Sequence, residues 1–252
     1  MWFIIPHVLL LEDQHIKSMH EHSVRLKISG EFACFTRPEA KVERTSYPMP
    51  TPSAARNIVD CICWKPEMRW VVASISLLKP IRYISVRRNE VQSKLSPVAV
   101  KRWMADPSSY QPLAAGAGAN TEGTPRNTLM LRDVSYVIDT YPVVFDKGSD
   151  NTPQKYCAML MRRAKKGQCF QQPALGCREF AASFEPASET DIPLPVSEDL
   201  GRMLYDIVFR PDGNRPIFFS ARLESGIMNT RPEMVLSDPA QREEVLQCSY
   251  RR

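Results

Sequence analysis

Apolar and polar residues alternate at the start of the predicted fold. Val24, Leu26 and Ile28 are separated by charged or polar residues, the period-two pattern of a strand with one buried face. Similar apolar runs predict further strands at residues 69–78, 81–86, 129–138 and 178–184. Residues 106–126 are rich in Ala, Gly, Pro and Ser and show no periodicity, so a long loop is expected there.

Two Thr-Pro pairs mark the predicted helix starts. Thr51-Pro52 and Thr152-Pro153 each supply an N-cap residue followed by a proline at the first helical position. An apolar stripe follows the first pair, and Gly167 fits the end of the second helix. The element order is a strand, a helix, a group of strands, a second helix and a final strand, which we interpret as strand, helix, two strands, helix, strand with one run of the group additional. This βαββαβ order predicts an α+β, ferredoxin-like N-terminal domain.

The chain beyond residue 185 predicts a small β-rich C-terminal subdomain. Residues 186–198 are acidic and proline-containing and predict a linker, and apolar runs within 199–230 flank a Pro-Asp-Gly-Asn turn typical of a β-hairpin. Residues 231–252 predict a frayed polar tail. The main domain is expected at 23–185, preceded at 1–22 by a disordered or additional extension with Met19 as an alternative to Met1 as the start.

Positive charge is concentrated in one third of the chain. Residues 24–102 hold 15 Lys and Arg against 6 Asp and Glu, a balance of +9, whereas the whole chain has +5. A concentrated basic region predicts a polyanionic partner such as a nucleic acid. A solvated basic face is the alternative interpretation. The apolar run at 3–11 is too short to cross a bilayer and lacks a cleavage site, so a cytoplasmic protein without a membrane partner is expected.

The cysteines and histidines argue against several classes of site. The seven cysteines show no disulfide or metal-ligand spacing, which predicts reduced thiols. All four histidines precede Val24, which excludes a His-based zinc site or a Ser-His or Cys-His relay in the folded body unless the N-terminal segment folds back. Mononucleotide and dinucleotide phosphate-loop motifs are also missing. Neither a metal nor a small-molecule cofactor is expected.

The candidate chemistry lies in residues 35–56, a proline-containing segment with few apolar residues. It is predicted to be a surface loop that displays cations and a phenol. Two further polar clusters could approach the same face of a βαββαβ domain. The segment contributes Arg37, Lys41, Arg44, Tyr47 and Arg56, and the other clusters contribute Arg87, Arg88, Asn89, Lys94, Arg126 and Asn127.

These groups suit RNA cleavage in which a ribose 2′-hydroxyl attacks its own phosphate. The protein must align that hydroxyl, assist its deprotonation and place cations where the phosphorane develops charge, each well-placed donor contributing ~3 to 4 kcal/mol. A tyrosine with a pKa of about 10 is a poor base unless neighbouring cations tune it. Tyr47 could instead orient the hydroxyl, stack on a base or pack the loop.

Four stretches resemble the CRISPR-associated "Cas-five" RAMP family, specifically the d-type of subtype I-C. They are residues 30–66, which include FTRPEAKVERTSYPMPTPSAAR, and residues 69–94, 126–138 and 168–185, the last containing LGCREF. The resemblance extends from about residue 24 to residue 223. It implies an RRM-related ferredoxin-like domain and a metal-independent endoribonuclease that cuts the repeat hairpin of CRISPR precursor RNA and leaves a cyclic phosphate. It also implies that the protein keeps the crRNA 5′ handle beside the backbone and large subunits of the interference complex.

The resemblance also assigns roles to individual residues. Tyr47 in TSYP matches the family's proposed catalytic tyrosine, which works in some relatives with a lysine and a histidine. Because no histidine follows residue 22, Tyr47 becomes the candidate base, and Lys94, Lys101 or Arg126 becomes the candidate cation. Gly176 matches a glycine-containing loop expected at the RNA. A non-catalytic subunit that only clamps the 5′ handle is the alternative function, and an unrelated ferredoxin-like module with a basic surface is a third.

Overall fold

In the part of the chain that the structure describes, a 21-residue strand organises one nine-stranded sheet. The computed structural model describes residues 22–40, 42–91, 94–110, 123–146, 148 and 150–247. The strands are β1 (Val24–Ala33), β2 (Arg44–Thr45), β3 (Met68–Leu77), β4 (Tyr83–Glu90), β5 (Thr124–Val144), β6 (Ser183–Pro186), β7 (Glu198–Val208), β8 (Arg215–Glu224) and β9 (Ile227–Asn229). The helices are α1 (Pro52–Ile62), α2 (Pro97–Ala105), α3 (Pro153–Lys165), α4 (Pro232–Val235) and α5 (Pro239–Gln247).

The predicted ferredoxin-like arrangement is confirmed. The sheet order β6-β1-β5-β3 places the first strand of the βαββαβ unit between its third and fourth strands, with antiparallel pairing throughout. Helices α1 and α3 contact each other and pack on this part of the sheet. Both start as predicted, since the Thr51 hydroxyl accepts the Ala54 amide at 3.1 Å and the Thr152 hydroxyl accepts the Lys155 amide at 3.3 Å.

The core lies where apolar faces of the helices and the sheet meet. Ile58 and Ile62 of α1 are fully buried together with Ile28 of β1 and Ile138 of β5. Trp70 is also fully buried and satisfies its indole N–H by donating to the Cys63 carbonyl at 2.6 Å. Burial of large aliphatic and aromatic side chains on this scale is the main force that holds α1 against the sheet.

The strand predicted at 81–86 does not belong to the four-strand core. It is β4, which continues to Glu90 and pairs with the outer half of β5, between Tyr83↔Leu131 and Glu90↔Thr124. The short strand β2 pairs in parallel with the same part of β5. Helix α2, which the sequence pattern did not predict, follows β4 and buries none of its side chains. The outer half of β5 therefore carries an arm that extends beyond the core.

The C-terminal strands continue the same sheet. β7 and β8 form an antiparallel hairpin, and β9 pairs with both β8 and β3. The frayed tail predicted from residue 231 is wrong for residues 232–247, because α4 and α5 form there and Leu236, after α4, and Val245 of α5 are buried, each 3% exposed. The predicted extension at 1–22 falls almost wholly outside the described residues. No helix within the described ranges is long and apolar enough to span a membrane.

Candidate functional site

Tyr47 is fully buried, so the predicted display of its phenol on a surface loop is wrong. Its hydroxyl accepts a hydrogen bond from the Leu204 amide at 3.2 Å, and the Arg37 guanidinium lies 4.7 Å from the centre of its ring. Burial raises the pKa of Tyr47, and the opposing influence of Arg37 does not cancel this rise. In this conformation the phenol stays protonated at neutral pH, which disfavours a role as general base.

Local hydrogen bonds explain why Tyr47 points inward. The Tyr47 amide donates to the Phe35 carbonyl at 2.8 Å, and the Phe35 amide donates to the Ser46 hydroxyl at 3.0 Å. The Ser46 amide donates to Leu129 on β5 at 2.9 Å. These bonds extend the pairing of β2 with β5 and fix the segment beside β5 at the edge of the sheet. The ring of Tyr47 consequently packs in the core rather than toward solvent.

Arg56 was predicted as an RNA contact, but the structure gives it a different role. Its guanidinium forms a two-point ion pair with Asp206 on β7, and Arg69 donates to the same carboxylate at 2.8 Å. The Arg56 and Asp206 side chains are only 12% and 4% exposed. Burial alone would raise the pKa of Asp206, but the two arginines outweigh burial and lower it. Arg56 therefore joins α1 to the C-terminal hairpin.

Two of the predicted cations do converge. Arg88 donates to the Glu179 carboxylate at 2.6 Å, and Arg44 lies 3.7 Å from the same oxygen. Arg44 also lies 3.7 Å from Glu90. We call Arg44, Arg88, Glu90 and Glu179 the Glu179 cluster. The hydrogen bond from Arg88 lowers the pKa of Glu179, so this carboxylate is ionised at neutral pH.

Arg126 adds a further positive charge next to the Glu179 cluster. It lies directly opposite Arg88 in the β4–β5 ladder. Side chains of such partners project from the same face with Cβ atoms about 5 Å apart, and like charges in this position repel each other. The cluster plus Arg126 holds three cations against two carboxylates. A phosphate group placed between the arginines would relieve this repulsion.

Arg87 and Asn89 do not share this face. Arg87 and Asn89 alternate with Arg88 along β4 and are exposed on the opposite face, where Arg87 pairs with Asn127 in the ladder. Lys94 is exposed beyond the end of β4. The expectation that all three clusters approach one face is therefore wrong for Arg87 and Asn89. Lys41 lies outside the described residues.

Gly176 holds the loop at 174–181 against the end of β1. Its φ is +86°, and a Cβ atom there would lie 1.9 Å from the Cys34 carbonyl oxygen, a distance that backbone atoms cannot accommodate. The Cys34 amide donates to the Leu175 carbonyl at 2.9 Å. This close approach positions Glu179 next to Arg44 and Arg88. The predicted RNA contact of Gly176 stays a prediction.

Sequence reasoning missed the acidic half of this site. Glu90 and Glu179 are separated by 89 residues, and neither lies in a spacing that predicts contact with Arg44. The only available signal was their position next to residues already noted, Arg88 and Gly176. Among the described residues, no group of three or more His, Cys, Asp or Glu is arranged to hold a metal ion.

Known proteins resemble this chain in sequence and in fold. A family model described as CRISPR-associated protein (Cas_Cas5) matches residues 23–230. A protein of Mannheimia succiniciproducens named CRISPR pre-crRNA endoribonuclease Cas5d is 45% identical over 218 residues, covering 83% of this chain and 95% of its own. A Thermus thermophilus protein of the same name is 35% identical over 228 residues, covering 83% and 92%. A solved CRISPR-associated protein superposes with a TM-score of 0.57 at 23% identity, covering 82% of this chain and 90% of its own, and supports the fold.

Proposed function

The chain belongs to the Cas5 family of CRISPR-associated proteins, and on that basis we propose that it is an endoribonuclease that cuts CRISPR precursor RNA within its repeats. The observation that carries this proposal is the 45% identity to a relative named as a pre-crRNA endoribonuclease, over 95% of that relative's length. The Glu179 cluster supports it from the structure, because its arginines offer charge and hydrogen-bond donors to phosphates.

The proposed reaction is attack by a ribose 2′-hydroxyl on its adjacent phosphate. The 2′-oxygen loses its proton to solvent and forms a bond to phosphorus, the bond to the 5′-oxygen of the next nucleotide breaks, that oxygen takes up a proton, and a 2′,3′-cyclic phosphate is left. Arg88 and Arg126 would face the phosphate oxygens, and Lys94 would approach from the segment after β4. Fixed cations stabilise the charge that develops on the phosphorane, so this route has no requirement for a divalent metal.

Tyr47 enters this proposal as a positioning residue. Its ring supports Arg37, and its hydroxyl holds the Leu204 amide. Through these two contacts Tyr47 fixes the segment that carries Arg37 and Arg44. This replaces the earlier assignment of Tyr47 as the base.

After cleavage the protein is proposed to keep the repeat-derived 5′ handle. In that state it would act in the cytoplasm as a subunit of the type I-C interference complex, beside the backbone and large subunits. Two faces of the β4–β5 arm offer polar contacts to such an RNA, one through the Glu179 cluster and the other through Arg87 and Asn89. Arg37, Lys41 and Gly176 complete the proposed RNA-contacting set.

A cleavage assay in EDTA tests the enzymatic proposal. Purified protein is incubated with repeat RNA, with the same RNA carrying one 2′-deoxyribose at the scissile position, and with a scrambled hairpin. We expect cutting of the repeat alone, a 2′,3′-cyclic phosphate on the upstream product, and resistance of the deoxy substrate. Arg126→Gln and Lys94→Gln should slow cutting, whereas Arg222→Gln, on the exposed side of the C-terminal hairpin, should not. Cutting only after Mg²⁺ addition would contradict the metal-independent route.

A second function is a non-catalytic clamp for the 5′ handle. Two observations favour it, the burial of Tyr47 and the position of all histidines before Val24. Tight, salt-sensitive binding of repeat RNA without any product would support the clamp and contradict the enzyme. Equal affinity for repeat and scrambled RNA would contradict both functions.

A further inference from the structure

Two cysteines that are distant in sequence meet below the Glu179 cluster. Cys34 follows the end of β1 and is fully buried, and Cys177 follows Gly176 and is partly exposed. The Cys177 thiol donates to the Cys34 carbonyl oxygen at 3.8 Å, and the two thiols are close enough to shift each other's pKa. The backbones are in contact here, as the close approach of Gly176 to Cys34 shows.

The surroundings of Cys177 favour its thiolate form. The neighbouring Cys34 thiol lowers the pKa of Cys177, and Arg44, whose guanidinium donates to the Cys177 sulfur at 3.8 Å, acts in the same direction. Thiolates rather than thiols react with oxidants, and a low-pKa accessible cysteine beside a second cysteine is the usual arrangement of an oxidisable pair. Burial raises the pKa of Cys61, Cys63 and Cys157, which makes these thiols less reactive.

We propose that Cys34 and Cys177 form a modification site at which a peroxide oxidant closes a reversible disulfide between the end of β1 and the loop at 174–181. The bridge would fix the position of the loop that carries Glu179. It would also remove the Cys177 thiolate as a partner of Arg44.

The chemistry proceeds in two balanced steps. The Cys177 thiolate attacks one oxygen of hydrogen peroxide, forming the sulfenic acid and releasing hydroxide. The Cys34 sulfur then attacks the sulfur of Cys177, the S–O bond breaks, and the Cys34 proton and the leaving hydroxide form water. Both cysteines are oxidised by one electron each, and one peroxide is reduced to the level of two waters. A dithiol reductant reverses the bridge by thiol–disulfide exchange.

The test uses full-length protein reduced with dithiothreitol and compares it before and after treatment with hydrogen peroxide. We expect a mass loss of two hydrogens, a cross-linked proteolytic peptide containing residues 34 and 177, and a melting temperature higher by about 5 °C that returns to its original value on reduction. Cys34→Ser and Cys177→Ser should each abolish the cross-link. Cys157→Ser, which removes a partly exposed thiol elsewhere, should preserve it.

Two results would overturn the proposal. The first is oxidation of Cys177 to the sulfinic acid in the wild-type protein without any cross-link to Cys34. The second is a cross-link that joins other cysteines, such as Cys61 and Cys169, in its place. Because the peptide map is made on the wild-type protein, the proposal can be tested even if a serine variant folds poorly.

Discussion

The Tyr47 hydroxyl accepts a hydrogen bond from the Leu204 amide, 157 positions later in the chain, at 3.2 Å. Both groups are buried, so neither has water as an alternative partner. The bond joins the segment after β2 to β7 of the C-terminal hairpin. Tyr47, the single tyrosine in residues 35–56, therefore connects two parts of the sheet.

Tyr47→Phe should mainly lower the free energy of unfolding. Its effect on the intrinsic rate of RNA cleavage should be small. The phenylalanine keeps the ring below Arg37 but leaves the buried Leu204 N–H without its acceptor, which costs about 1–3 kcal/mol in the free energy of unfolding. Urea denaturation measures this cost, and single-turnover cleavage at low temperature measures the rate. A cleavage rate that falls more than a hundredfold in a variant of nearly unchanged stability would show that the phenol takes part in the chemistry.

Much of the fold could be predicted because its signals are local. The period-two runs and the Thr-Pro caps predicted the βαββαβ order, which is confirmed. Helix α2, a nine-residue helix that buries none of its side chains, was not predicted. Helix α5 was missed because it is polar and depends on a tertiary contact of Val245. Periodic sequence patterns arise from the burial of one face, so helices and strands with little burial are difficult to predict from sequence.

The site was less predictable because its geometry depends on register. Because Arg87 and Arg88 are consecutive, the sequence pattern places them in one cluster. Strand β4 continues through both residues, so their side chains project from opposite faces. Strand β2 is only two residues long, too short for a period that would show which way Tyr47 points. The ion pair of Arg56 with Asp206 joins residues 150 positions apart and leaves no local signal.

Gly176→Ala should disturb the loop far more than a matched glycine substitution. Alanine at φ +86° is strained, and its Cβ would also overlap the Cys34 carbonyl oxygen, so we expect a loss of more than about 3 kcal/mol. Gly167→Ala is the control, because its φ of +61° is similar but the position is open, and it should cost about 1 kcal/mol. Thermal and urea unfolding of both variants measure the difference. Equal losses would mean that the overlap is relieved by a small loop movement.

Asp206→Asn should be among the most destabilising single changes in the chain. It removes the carboxylate that balances Arg56 and Arg69, leaving two buried guanidinium groups without their common counter-ion, at a cost of about 3–5 kcal/mol. Asp199→Asn removes a carboxylate on the same strand whose ion pair with Arg222 is exposed, and it should cost less than about 1 kcal/mol. Similar urea midpoints for the two variants would argue that Asp206 is not the link between α1 and β7.

The raised pKa of Asp60 predicts that the free energy of unfolding depends measurably on pH. Burial raises its pKa to about 6 from an ordinary value of 3.8, although Arg56 lies 3.9 Å away and opposes the shift. The folded state therefore holds this proton more tightly than the unfolded chain. The stabilising contribution of the protonated form is complete below pH 3.8 and is lost as the pH rises through about 6. Relative to wild type, Asp60→Asn should gain about 1–3 kcal/mol between pH 4 and pH 7. Parallel urea-derived stability curves over this pH range would contradict the prediction.

Glu179→Gln should strengthen RNA binding if the Glu179 carboxylate competes with phosphate for Arg44 and Arg88. The carboxylate is partly exposed and ionised, so an incoming phosphate must displace it or lie beside its negative charge. Its removal should lower the Kd for repeat RNA about 3- to 10-fold. The plot of log affinity against log salt should also become steeper by roughly the contribution of one phosphate contact.

Glu185→Gln is the matched control for this experiment. Glu185 carries another exposed carboxylate, on β6, but among the described residues it pairs with Lys27 at 3.3 Å and forms no ion pair with either arginine of the Glu179 cluster. Its removal should leave the Kd within about twofold, because a distant exposed charge is largely screened by salt. Weaker binding by Glu179→Gln, with Glu185→Gln unchanged, would indicate that Glu179 orients the two arginines toward RNA. In that case the Arg88–Glu179 hydrogen bond would be part of the bound state rather than a contact that phosphate replaces.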